Sequence, residues 1–95
     1  MVKRDLVESL LRSFPGITKR DIADVVDSIF ESIARALMQG EAVDLRGLGR
    51  FKIKRRDAIR GRNPKTGMYV DIPERWAVHF RPSENLTSRI NTGKY

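Results

Sequence analysis

The apolar alternation that starts at Val43 stops at Arg55 and does not resume until Trp76. Val43 and Leu45, then Phe51 and Ile53, take one side of successive strands, with Asp44, Arg46, Lys52 and Lys54 on the other. Beyond Arg55 the inward apolar positions cease, so the strand is predicted to run past the core into solvent. Residues 57–75, nineteen in all, can add little to a core, which leaves about 76 of the 95 residues to build one. At that size a lone core contributes only a few kcal/mol, and small domains compensate with disulfides, a metal or oligomerisation. The chain has no cysteine and one histidine, which excludes a disulfide framework, a thiolate site and a multi-histidine metal site. Oligomerisation remains.

The surface for it is visible in the first forty residues. Lys3–Phe14 reads as a short amphipathic helix, with Leu6, Val7, Leu10, Leu11 and Phe14 on one face, ended by Pro15-Gly16. Thr18 starts a second helix with Asp21 three residues on, and Gly40 closes it. Its stripe of Ile22, Val25, Val26, Ile29, Phe30, Ile33 and Leu37 is wider than one partner helix can bury. An obligate, intertwined two-fold dimer follows as the expectation. After the sheet, Trp76, Val78 and Phe80 are expected to re-enter the core, Trp76 as the anchor where the excursion rejoins the body. Pro82 ends that strand, and Ser83 caps a last helix carrying Leu86 and Ile90.

Charge is concentrated in one continuous segment that leads into this excursion. The chain carries +7, and residues 46–65 hold nine cations against one acid, Asp57. The other seventy-five residues net to about −1. A solvated charged face normally carries neutralising acids, and this one does not. Such a segment expects a polyanion. Arg55–Arg62 would reach about 26 Å if extended, with Met68–Ile72 as the returning strand. A two-stranded ribbon of that length without apolar packing is unstable alone, and its use would be to lie in a partner's groove. At its tip, Asn63-Pro64 initiates a turn and Gly67 can supply a positive φ. Pro64 is a rigid apolar residue at this apex, flanked by cations: taken alone an ordinary hairpin proline, and with the basic arm around it a candidate wedge for a base step in the minor groove.

Gly61-Arg62-Asn63-Pro64-Lys65-Thr66-Gly67, Gly47-Leu48-Gly49-Arg50-Phe51 and His79-Phe80-Arg81-Pro82 together resemble the bacterial HU and integration host factor family of DNA-bending proteins. The resemblance runs along essentially the whole chain; the tip run is specific, the Gly-x-Gly turn weak alone. It implies an α+β fold in one domain over 1–95. Residues 1–40 would be the helical dimerisation part, 41–82 the sheet with its DNA-binding arm at about 55–75, and 83–95 the C-terminal helix and tail. In the implied dimer the helices form a base and two ribbon arms embrace double-stranded DNA.

By position, Pro64 resembles the intercalating proline and Arg62 and Asn63 its minor-groove companions. Lys54, Arg56, Arg60 and Lys65 match arm and tip contacts, and Lys3 and Arg81 resemble phosphate clamps on the flank. Asp44-x-Arg46 resembles the acid-x-Arg pair of the integration host factor β subunit, with Arg46 sensing groove width and Asp44 orienting its guanidinium. Details of register lean towards that subunit, as a homodimer or as a heterodimer with an α-type partner. A nearly sequence-blind, HU-type protein is the alternative, and an RNA- or protein-binding dimer the reading from another class. Four positions depart from the family pattern: Leu48 replaces a usual Phe, Val2 a polar helix cap, Glu84 a common basic residue, and Ile59 a polar or basic arm residue.

No catalytic constellation emerges. Gly61–Gly67 lacks the Gly-Lys-Ser/Thr of a phosphate loop, and Gly47-x-Gly49 lacks the third glycine of a dinucleotide fingerprint. His79 has no nucleophile or carboxylate at a recognisable spacing and reads as a packed or solvated strand residue. The expectation is a non-enzymatic, cytoplasmic, nucleoid-associated protein without cofactor or membrane partner.

Overall fold

A computed structural model describes residues 1–93. The elements run α1 (Lys3–Ser13), α2 (Lys19–Met38), β1 (Val43–Leu45), β2 (Gly49–Arg56), β3 (Ile59–Arg62), β4 (Tyr69–Ile72), β5 (Arg75–Pro82) and α3 (Glu84–Thr92). The expected C-terminal tail to residue 95 extends past the described residues. The chain divides into two units, Met1–Arg35 and Ala36 onward.

In the first unit α1 packs on α2. Val7 meets Ile22 and Val26, with Leu6, Leu10, Leu11 and Ala23 partly buried around them. Val2 was expected to leave α1 without a cap. Its N–H instead donates to the Asp5 carboxylate at 2.9 Å, so the acid of the first turn supplies half of a capping box. Thr18 caps α2 as expected, its hydroxyl accepting from the Asp21 N–H at 3.2 Å. These three core side chains are the only buried hydrophobics among the described residues. Val25, Ile29 and Phe30 of the same helix stay exposed, Ile29 by 51%.

The second unit opens with the end of α2. Gly40, at φ +83°, donates to the Leu37 carbonyl while Glu41 reaches back to Ala36. Such a left-handed glycine closure satisfies the last orphan carbonyls of a helix. Three antiparallel strands follow in the order β1-β2-β5. Register opposes Phe51 to Phe80, Ile53 to Val78 and Arg55 to Trp76 on one face. Arg50 opposes Arg81, Lys52 opposes His79, Lys54 opposes Ala77 and Arg56 opposes Arg75 on the other. Opposed residues share a face because side chains alternate along a strand.

The apolar face corrects one expectation. Phe51 and Phe80 stack at 4.7 Å between centroids, but Trp76 is 67% and Val78 60% exposed. Trp76 is no core anchor within the chain, because no second layer of this unit covers the face beyond the aromatic pair. Ser83 N–H donates to the Leu48 carbonyl at 3.0 Å, tying the end of β5 to the β1–β2 turn. The Ser83 hydroxyl accepts from Leu86 N–H at 3.0 Å and caps α3.

Strands β3 and β4 form a separate two-stranded ribbon. The extended run expected from Arg55 to Arg62 is interrupted: Asp57–Ala58 leave the strand opposite Pro73–Glu74. Pro73 has no N–H to donate, which ends the ladder at that level.

Candidate nucleic-acid interface

The apex is held by short-range hydrogen bonds. Asn63 N–H donates to the Met68 carbonyl at 2.8 Å, and Gly67 N–H donates to the Asn63 carbonyl at 2.7 Å. The Asn63 side-chain oxygen accepts from Lys65 N–H at 2.9 Å, the arrangement by which asparagine imitates a backbone turn. Gly67 takes φ +71°, and its carbonyl accepts from Arg62 Nε at 3.1 Å. Pro64 is left exposed at the summit, with Arg62 and Lys65 exposed beside it and Asn63 half-buried.

Below the apex the ribbon has two faces. Ile59 opposes Ile72 and Gly61 opposes Val70 on one; Arg60 opposes Asp71 and Arg62 opposes Tyr69 on the other. The Arg60 guanidinium sits 4.6 Å from the Tyr69 ring centroid and that of Arg62 6.0 Å from it. Cation–π attraction at an exposed site contributes about 0.5–1 kcal/mol, enough to align both guanidiniums along one side. Tyr69 therefore braces the arm. Asp71 lies 3.8 Å from Arg60 and is itself almost fully exposed, a loose pair that any phosphate can replace.

At the base, Arg50, Lys52, Lys54, His79 and Arg81 line a cleft of about 660 Å³. Lys54 and Arg81, expected as contacts, are joined there by Arg50 and Lys52, which the sequence alone marks as charge without a role. Their parity with Lys54 on β2 was the available signal. Arg56 continues the same face, opposite Arg75. Lys54 first, then partial desolvation, then Lys52, Arg56 and Arg81 hold the His79 imidazole below its ordinary pKa.

Two expected contacts are engaged elsewhere. The Asp44 carboxylate lies 3.7 Å from Arg50, its register partner, rather than on Arg46. The reason is register: Asp44 and Arg50 stand directly opposite one another, and opposed strand residues come closer than residues two apart on one strand. Arg46 occupies the turn after β1, exposed and without an ion pair among the described residues. In the other unit Lys3 opens α1 and pairs with Asp27 of α2 at 2.8 Å, both more than half exposed. Such exposed pairs contribute at most about 1 kcal/mol. Arg55 pairs with Glu74 on the apolar side of the ribbon base.

An exposed proline on a braced tip, arginines along one arm face and a cationic sheet make a surface for a negatively charged, grooved polymer. Residues 1–91 match the family described as bacterial DNA-binding protein. The chain resembles HU from Anabaena, solved as a cocrystal with DNA, at 29% identity and a TM-score of 0.85, covering 98% of this chain and 100% of that one. HU from Thermotoga maritima shares the fold at 23% identity and a TM-score of 0.63, over 95% and 98% of the two chains. The chain belongs to the HU and integration host factor family of bacterial DNA-binding proteins. Those are non-catalytic, nucleoid-associated proteins with an architectural, DNA-bending role.

Proposed function

We propose that this chain bends double-stranded DNA from the minor groove, with Pro64 entering between base pairs at the tip of each arm of a two-fold dimer. The observation that carries the reading is Pro64 itself: an exposed apolar ring at the summit of a loop fixed by the Asn63–Gly67 pairing and flanked by Arg62 and Lys65. An apolar wedge costs base stacking, which must be offset by contacts along the bent duplex. Arg60, Arg62, Lys54, Arg56 and Arg81 supply these from the arm and the sheet. Lys3 adds one from the start of α1 once it releases Asp27, where helix N–H groups also favour phosphate.

The dimer is supported by each unit separately. Val25, Ile29 and Phe30 are exposed on α2, and Trp76, Val78 and Phe80 on the sheet. Three buried side chains are too few for a chain of this length to hold its fold alone. A second copy of the chain, or an α-type integration host factor subunit, covers such surfaces equally well. Within the family we favour the site-reading, β-subunit-like role over the sequence-blind HU-type role. An exposed Arg46 with no ion pair among the described residues suits a sensor of groove width, since narrow A·T-rich minor grooves attract arginine.

Binding of straight and nicked duplexes by the wild-type chain and Pro64→Ala tests the wedge. The variant should keep most of its affinity for nicked, pre-kinked DNA and lose it on straight DNA. Equal losses on both would rule the wedge out.

A further inference from the structure

The cleft on the sheet contains one group whose charge is adjustable at physiological pH. His79 stands opposite Lys52 in the β2–β5 register, with Arg50, Lys54 and Arg81 around it. The other described residues lining that cleft are all lysines and arginines. On the same face β2 adds Arg56 and β5 adds Arg75, while β1 contributes one acid, Asp44, which lies on Arg50. Among the described residues no carboxylate lines the cleft itself.

We propose that His79 is a proton-linked polyanion contact, taking up a proton when a phosphate backbone occupies this cleft and so coupling binding strength to pH. The inference rests on the DNA-binding reading above and adds a role for a residue that reading leaves idle. Its physical basis is the sign of the local field. In the free chain the surrounding cations disfavour an imidazolium, Lys54 most of all. A phosphate backbone in the cleft neutralises those cations and adds negative charge, so the imidazolium becomes the favoured form. The imidazole then changes from a neutral group to a charged donor to phosphate.

The sign of the pH effect follows. Well above the bound-state pKa His79 is neutral in both states, and affinity does not depend on its titration. As pH falls through the bound-state pKa, the complex holds a proton that the free chain lacks, and affinity rises. Below the free-state pKa both states are protonated and the gain levels off. Each pKa unit of separation between bound and free chain is worth tenfold in affinity per His79. The slope of log affinity against pH cannot exceed one per histidine.

One histidine in the chain makes the test direct. The imidazole Hε1 resonance of the full-length protein is titrated by NMR between about pH 5 and 8.5, free and saturated with a short duplex at constant ionic strength. Affinity for the same duplex is measured across that range for wild type and His79→Gln. The expected result is a midpoint that moves up in the complex, with wild-type affinity rising several-fold towards acid and His79→Gln showing a flatter profile. An unchanged midpoint in a chain whose other resonances report bound DNA overturns the inference and leaves the DNA reading intact. No binding at any pH overturns both.

Discussion

Gly67 donates its N–H to the Asn63 carbonyl at 2.7 Å, closing the loop on which Pro64 stands. That closure requires φ +71° at Gly67, a conformation in which a Cβ is strained. Gly67→Ala should cost the loop about 1 kcal/mol or more. Global melting should barely change, because the tip packs on no core residue, while the bend imposed on DNA should fall. Calorimetry alongside a bending assay checks both.

Gly49 meets a different constraint. A Cβ there would lie 2.5 Å from the Arg81 carbonyl oxygen and 2.6 Å from the Phe80 ring. The backbone atom cannot swing aside, so β2 and β5 must part. Gly49→Ala should destabilise the protein by about 1–3 kcal/mol. At about 4–8 °C per kcal/mol for a domain of this size, the loss is readable in thermal unfolding.

Ile29, 51% exposed on α2, lies on the stripe assigned to a second copy. Ile29→Lys would place a charge in that interface without disturbing Val7, Ile22 or Val26. Sedimentation should show wild type at twice the chain mass and the variant shifted towards monomer or unfolded. A wild-type chain that stays folded at its monomer mass would contradict the dimer.

Much of this was legible in the sequence wherever the determinants are local. Thr18, Gly40 and Ser83 mark helix ends by hydrogen bonds within a few residues, and all three do so in the structure. Gly67 was recognisable because only backbone sterics decide it. Trp76 was misjudged because alternation gives the face of a strand but not what covers that face. Asp44 was assigned to Arg46, two residues away on its own strand, although pairing with β2 places Arg50 closer. The break in the arm was missed because Pro73 acts across the ladder, on a partner segment that sequence order does not identify. Arg50 and Lys52 needed only the parity of β2, whereas the cleft that joins them to His79 required the β5 register.

The cationic face and arm also fix the salt response. If about 6–10 phosphates are neutralised, affinity should fall about 10³–10⁵-fold between 50 and 200 mM salt. Lys54→Ala or Arg56→Ala should each lower the slope of log affinity against log salt by about one for every phosphate left without its cation. A flat salt response would exclude phosphate binding as the main source of affinity.

Bending by Pro64 is tested most directly by energy transfer between dyes at the two ends of a straight duplex, titrated with the chain alone. Wild type should bring the ends together. Pro64→Ala, at saturation on the same DNA, should leave them clearly further apart. Saturated binding by wild type with no change in end-to-end distance, or the same approach by wild type and Pro64→Ala, would contradict the account.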